Sequence, residues 1–321
     1  MSWRLQTPVS VFFYRRPEHL RQVMEKVRQA RPPILFGISD GAKTDQPEIQ
    51  KGVEDSRRVF REAIDWPCRW EILERESNIG SCRSISRGLD WVFERVGETI
   101  VLEDDTVPDL TFFRFVAELL EKYRNNPGVG AISGNNYDDP LDWPGEAGYR
   151  FTRYHHSWGW GTWKRAWRHF DRENKLLAEV PRLRKENWIK LSRKEWAYWE
   201  RCFQQTYAKK LDAWDYQWTL SLWSHHLVCI VPKVNLVRNI GFDDLATHTK
   251  EHNFASLAMH RAQSISFPLN SSDFREIATK LDDQVFLNHY QKLEGRRNLW
   301  QKIRDRIRKI LGKKPASLSQ P

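Results

Sequence analysis

The chain has 321 residues, 40% of them hydrophobic and 29% charged, enough to bury a sizeable core as one large domain, and no apolar stretch in it approaches the length of a membrane-spanning helix. Its formal charge of +10 and isoelectric point near 9.4 predict a polyanionic neighbour, either nucleic acid or an anionic membrane surface, without choosing between them. Cys68, Cys82, Cys202 and Cys229 have neither paired nor zinc-type spacing, and Met1-Ser2-Trp3-Arg4 has no signal-peptide core, so reduced thiols and a cytoplasmic location are expected.

Val9 to Tyr14 (VSVFFY) reads as a strand, and Arg15-Arg16-Pro17 as a turn in which Pro17 opens a helix over Glu18 to Ala30. Ile34 to Ser39 is a second strand that ends on Asp40-Gly41, followed by a charged helix over Gln46 to Ile64. Trp70 to Glu74 makes a third strand. Asn78-Ile79-Gly80 then turns into a helix over Ser84 to Val96, where Ile85, Leu89, Val92 and Phe93 follow helical spacing. This alternation predicts a right-handed, mostly parallel α/β sheet over roughly the first half of the chain.

Ile100-Val101-Leu102-Glu103-Asp104-Asp105 is the most informative stretch. Its apolar half reads as a buried parallel strand, so its three carboxylates emerge at the C-terminal edge, where open α/β sheets place ligands. Three adjacent carboxylates repel one another, and a divalent cation bridging to a phosphate relieves this, Mg²⁺ or Mn²⁺ by preference for hard oxygen ligands. The other reading is a solvated acidic turn before a helix over Thr111 to Tyr123, and these residues alone leave both open.

Val129 to Gly134 predicts a further strand, after which the texture changes. Many of the sixteen tryptophans lie between residues 143 and 223, and Tyr154 to Trp163 mixes aromatic rings with glycines. Such a mixture suits a groove that stacks rings on a sugar, and equally an irregular core strand in which glycine relieves crowding. Helices broken near Pro181 are expected over Lys164 to Lys210, then a helix from Trp214 to Trp223, a strand over Val228 to Pro232 and a polar loop from Phe242 to Thr249. In 296–311 the residues Leu299, Trp300, Ile303, Ile307, Ile310 and Leu311 form one apolar helical stripe amid arginine and lysine. That pattern suits a helix lying on an anionic bilayer, or one docked with a solvated basic face.

In this order the stretches VSVFFYRRP, GISDG, IVLEDDTVPDLTFFRF and WDYQW followed by VPKVNLVRNIGF, spanning roughly residues 9 to 250, resemble nucleotide-sugar glycosyltransferases of the GT-A fold. More narrowly, they are similar to bacterial relatives of the N-acetylglucosaminyltransferase I family. The resemblance implies a Rossmann-like, mostly parallel sheet with flanking helices and a helical, aromatic-rich C-terminal elaboration. It divides the chain into a nucleotide-sugar-binding half over 1–140, an acceptor-binding and catalytic half of the same domain over 141–295, and a basic amphipathic helix and tail over 296–321. It also implies a Mn²⁺ or Mg²⁺ cofactor on Asp105, Glu103 and Asp104 near the uridine or ribose, Tyr14 and Arg15 lining the nucleotide, and Asp40 on the base. His248 falls where many such enzymes place a histidine beside the metal or diphosphate. WDYQW departs from the family phrase, which has two acidic residues between its tryptophans; Asp215 is the acidic residue left to serve as general base.

The activity so implied is inverting transfer from a nucleotide-sugar donor, UDP-linked by preference, to a glycan or lipid-linked acceptor, and the charge and the basic tail helix add the expectation of peripheral attachment at the inner face of the membrane. A sugar-phosphate nucleotidyltransferase is the nearest alternative, but Arg15-Arg16-Pro17 lacks the glycine-rich loop that grips a triphosphate. Nucleic-acid binding is the other, and it is not expected: the basic residues concentrate in the tail and over Arg165 to Lys210, with no recognised binding motif.

Overall fold

The computed structural model describes residues 3–43, 46–137, 143, 145–242, 261–270 and 276–291. Three βα steps and a fourth strand lay down one half of the sheet. Strand β1 (Val9–Phe13) is buried along its whole length, and α1 (Pro17–Ala30) follows it with Pro17 in its first turn, where a missing N–H leaves no bond unmade. Leu20, Val23, Met24 and Val27 turn the buried stripe of α1 onto the sheet. After β2 (Ile34–Ser39) and α2 (Pro47–Glu62) come β3 (Arg69–Glu74), α3 (Ser81–Phe93) and β4 (Glu98–Glu103). These strands pair in parallel in the order β3-β2-β1-β4, with Val9 opposite both Leu35 and Ile100.

A short β5 (Thr106–Pro108) leads into α4 (Leu110–Tyr123), whose cap Asp109 accepts the Thr111 N–H at 2.9 Å. The remaining strands are β6 (Val129–Ser133), β7 (Tyr149–Thr152), β8 (Trp160–Trp163), β9 (Val228–Pro232) and β10 (Val237–Asn239). They extend the main sheet to eight strands in the order β3-β2-β1-β4-β8-β6-β9-β7, while β10 pairs antiparallel with β5. The result is a Rossmann-like mixed α/β fold with a mostly parallel sheet, as the alternation of elements predicts. Residues on both sides of position 140 contribute strands to that one sheet.

The glycine and tryptophan stretch resolves in favour of the core. β8 runs antiparallel between β4 and β6, and Gly161 faces Ile100 on one side and Ile132 on the other. A Cβ at Gly161 would lie 2.5 Å from Val116 Cγ1, so the glycine lets α4 press directly on the strand. Trp160 and Trp163 are buried, and the Trp163 indole N–H donates to the Leu120 carbonyl at 3.1 Å. These rings fill the core and do not line a sugar groove, because a strand covered on both faces has no open side to offer one.

Between β8 and β9 the chain forms α5 (Lys164–Trp167), a 3₁₀ turn at Leu176–Glu179, α6 (Val180–Glu186), α7 (Arg193–Tyr207) and α8 (Trp214–Ser224). Pro181 sits in the first turn of α6, opening that helix where the sequence suggested a break. α7 starts with a reciprocal cap between Ser192 and Glu195. Glu195 is buried and also takes bonds from the Arg153 guanidinium and the Tyr154 hydroxyl.

The last described element, α9 (Thr279–Val285), continues through a π-helical turn at Phe286–Tyr290 and is fastened to β7 by charge. Asp282 is fully buried; it receives the Arg150 guanidinium, the Thr152 hydroxyl at 2.7 Å and the Arg153 N–H at 2.9 Å. Removing one member of a buried ion network strands its partners without compensation. Asp282→Ala is expected to lower unfolding free energy by about 3–5 kcal/mol, read from the chemical denaturation midpoint. A loss under about 1 kcal/mol would show that solvent reaches Arg150 and Arg153.

Candidate active site

Because β2, β1 and β4 are parallel, their C-terminal ends share one edge, and residues distant in sequence meet there. Tyr14, Arg15 and Arg16 follow β1, Asp40 follows β2, and Glu103, Asp104 and Asp105 close β4; all of them line one cleft. Asn78, Gly80 and Ser81 ahead of α3 complete one wall, with Asp212 and Gly241. Six residues that the sequence pointed to, Tyr14, Arg15, Asp40, Glu103, Asp104 and Asp105, are therefore brought together.

Arg16, at the N-cap of α1, holds the acidic turn. One guanidinium nitrogen, Nη2, bonds Asp104 Oδ1 and, at 2.8 Å, Asp105 Oδ2. The other Asp104 oxygen accepts the Tyr14 N–H at 3.1 Å. Backbone fixes the rest: the Thr106 hydroxyl accepts the Glu103 N–H at 2.8 Å and donates to the Glu103 carbonyl at 3.0 Å, and the Ile240 N–H donates to the Asp105 carbonyl at 2.8 Å. Gly241 must lack a side chain here, since a Cβ would stand 2.1 Å from Asp105 Oδ2 and 2.9 Å from Arg16 Nη1.

The electrostatics follow from burial. Burial opposes the charge on Arg16, yet the two aspartates outweigh it and hold the guanidinium above its ordinary pKa. Burial also raises Asp104, with Arg16 pulling the other way. Glu103 is pushed well above the usual carboxylate range, first by burial, then by Asp105, Asp104 and Asp215, with only Arg16 opposing. Asp40 is raised by burial as well, against the Ile79 and Gly41 N–H groups that donate to it at 3.2 and 3.1 Å. The Tyr14 hydroxyl accepts the Lys43 N–H at 3.1 Å, and the Arg15 guanidinium lies 5.9 Å from the Tyr14 ring centre.

Asp215 lies in the first turn of α8, half-buried, and its charge acts on Glu103 as well as on Tyr137 and Tyr290. Unlike the six residues above it does not line the cleft, and its link to the acidic turn is through charge. His248 lies outside the described residues. Two functional residues were not singled out by sequence reasoning. Arg16 was visible only as one of two arginines in a turn, and its bond to the acidic turn depends on the pairing of β1 with β4. Asp212 gave no local signal, because its partners, the N–H groups of Ser81 and Cys82 at 2.9 and 3.1 Å, are 131 and 130 positions away.

Among the described residues no group of three or more histidine, cysteine or carboxylate side chains is arranged to hold a metal ion unaided. Oxygens of Asp104 and Asp105 converge on one cationic atom, Arg16 Nη2. Mg²⁺ or Mn²⁺, which take one or two carboxylates and complete their shell with phosphate and water, would have to draw on the oxygens that the guanidinium leaves.

No protein-family model and no curated protein matches the chain. Among solved structures, that of UDP-glucose pyrophosphorylase complexed with UDP-glucose is similar over 71% of this chain and 90% of that one, at 8% identity and a TM-score of 0.35. A likeness this remote carries no functional argument, so function has to be argued from the site.

A carboxyl whose folded pKa is raised contributes stability that is fully present below the ordinary glutamate range and is lost as pH climbs through the raised value. Glu103 therefore penalises the fold at neutral and alkaline pH, and the neutral isostere Glu103→Gln removes that penalty. The variant is expected to exceed the parent chain in unfolding free energy by about 1 kcal/mol at roughly pH 8, held to that level by solvent in the open cleft, with the two converging near about pH 4. Denaturation series across pH check this, and a variant no more stable at alkaline pH than at acid would show Glu103 to be solvated.

Proposed function

We propose that the chain is a divalent-metal-dependent glycosyltransferase. It would move a sugar from a nucleoside-diphosphate donor, a UDP-sugar by preference, to a hydroxyl of a glycan or lipid-linked acceptor with inversion at the anomeric carbon. One observation carries this reading: the acidic turn Glu103 to Asp105 meets Tyr14, Arg15, Arg16 and Asp40 in one cleft at the C-terminal edge of a parallel sheet, and the charge of Asp215, on a separate helix, reaches Glu103.

The two groups of carboxylates have different work. Asp105, with Asp104 beside it and His248 added by the resemblance, would hold the cation, whose charge offsets that developing on the departing diphosphate. Arg16 and Arg15 set fixed positive charge on the same side of the cleft, where it stabilises the leaving group without reorganising during reaction. Tyr14 would line the nucleotide. Asp40 keeps acceptor capacity beyond its bonds from the Gly41 and Ile79 backbone and would take an N–H from the base. An acceptor hydroxyl ionises far above neutral pH, so it reacts only as its proton leaves, and Asp215 would receive that proton. Inversion is what the resemblance implies: the acceptor hydroxyl would attack the anomeric carbon from the face opposite the departing diphosphate.

Two substitutions separate these roles. Asp105→Asn is expected to abolish turnover and to remove the Mn²⁺-dependent part of UDP affinity, measured by calorimetric titration with and without the ion. Asp215→Asn should leave that affinity within twofold while turnover falls by about 100-fold or more. Unchanged Mn²⁺-dependent binding in the first variant, or lost UDP binding in the second, would reverse the assignments.

The sequence of 296–311, which lies outside the described residues, supports a peripheral attachment to anionic membrane. Deleting 296–321 is expected to release the protein from phosphatidylserine-containing vesicles in a flotation assay and to leave UDP binding intact, since the described residues that line the cleft all lie before 242. Loss of UDP affinity on truncation would place the segment in the folded domain.

A further inference from the structure

α8, which carries Asp215, begins without a side-chain cap: its N-cap residue is Ala213. α3 likewise starts from Gly80, at φ 85°, with no cap of its own. Asp212, next to Ala213, turns away from α8 and caps α3 instead, Oδ2 accepting the Ser81 N–H at 2.9 Å and Oδ1 the Cys82 N–H at 3.1 Å. Gly80 permits the approach, since a Cβ there would lie 3.0 Å from Asp212 Oδ2. On the other side of Asp215, the buried Gln217 accepts the Cys82 thiol at 2.8 Å and donates to Asn174 Oδ1 at 2.6 Å. The thiol stays protonated and able to donate, because burial, then Asp212 and Asp215, push its pKa up to about 12. Asp215 is thus flanked, three residues before and two after, by side chains that grip the same turn of α3.

We propose that Asp212 and Gln217 are positioning residues that lock the first turn of α8 onto the N-terminus of α3 and so fix the Asp215 carboxylate opposite Glu103. The inference rests on the reading of Asp215 as general base. The first turn of a helix has N–H groups without intrahelical partners and frays readily, a poor mount for a base that must stay within hydrogen-bond reach of its proton. A displacement of about 1 Å at such a group lowers rate by on the order of 100-fold. Capping α3 with a residue from the loop before α8, where a local serine or aspartate would stabilise α3 as well, ties that helix to the base.

The test compares Asp212→Ala, Asp212→Asn, Gln217→Met, Asp215→Asn and the double variant Asp212→Ala/Asp215→Asn in the full chain. UDP release from UDP-glucose and UDP-N-acetylglucosamine with Mn²⁺ is read beside UDP affinity. Asp212→Ala and Gln217→Met are each expected to slow release about tenfold or more with UDP affinity within twofold, and Asp212→Asn, which keeps an acceptor oxygen, to recover part of the rate. Adding Asp212→Ala to Asp215→Asn should lower the rate no further, because a mount has no effect once the base is gone. Parental rates in both clamp variants beside an impaired Asp215→Asn, or additive losses in the double variant, would overturn the clamp and leave the base assignment standing. Parental turnover in Asp215→Asn would remove the base assignment and the clamp with it. If Asp212→Ala does not fold, Gln217→Met decides by the same criteria.

Discussion

Three carboxylates on consecutive residues stay together at a strand end only if positive charge stays with them, and the site depends on the arginine that supplies it. Two like charges about 4 Å apart near a protein surface repel by about 4 kcal/mol, more than a short turn stores in backbone bonds. Arg16 offsets this by placing one nitrogen between Asp104 and Asp105, and its charge also reaches Glu103, whose pKa burial and the neighbouring carboxylates nonetheless push up. Arg16 can do so because β1 and β4 pair in parallel with Phe12 opposite Glu103, which sets the residues after each strand side by side.

The second half of the chain fixes the opposite wall by packing. Trp214 and Trp218 are one helical turn apart on α8 and share a face. Trp214 stacks on Trp160 of β8 with ring centres 5.3 Å apart and planes 22° from parallel, and Trp218 packs on Trp167 at 5.0 Å. These rings are pegs that seat α8 on the sheet. With both tryptophans committed to the core, Asp215 is left half-buried at the helix start, where its charge reaches the acidic turn. The phrase WDYQW therefore joins a structural role and a chemical one, and the abundance of tryptophan belongs to the first.

Much of the first half was legible because each of its signals is local. Pro17 opening α1, the apolar run before Glu103 and the helical spacing of Ile85 and Leu89 each report on a few neighbouring residues, and alternating elements of that kind leave few topologies. Asp40 and the acidic triplet followed, since strand ends in such a sheet share an edge, while Tyr14 and Arg15 came from the family resemblance. Gly161 and Trp160 were not legible. A strand inserted antiparallel between β4 and β6 has both faces covered, so period-2 alternation is absent, and its aromatic and glycine content reads equally as a binding groove. Arg16 and Asp212 share another obstacle: each owes its role to a partner that only tertiary structure supplies.

The turn before α3 links the two sides of the cleft. The Ile79 N–H donates to Asp40, the Asn78 amide donates to the Gly41 carbonyl at 3.1 Å, and the next residues along, Ser81 and Cys82, hold Asp212 and Gln217. Five consecutive residues thus bond the end of β2 at one end and the start of α8 at the other. Hydrogen bonds of this kind are individually modest, about 1 kcal/mol net each, but here they act in series through one short segment that opens a helix. A displacement of Asp40 reaches the mount of Asp215 through hydrogen bonds at each end and the covalent backbone of residues 79–82 between them. The sheet edge that gathers the acidic turn and the helix that faces it are in that sense one mechanical unit, and the separation between them is set by the backbone of residues 78–82.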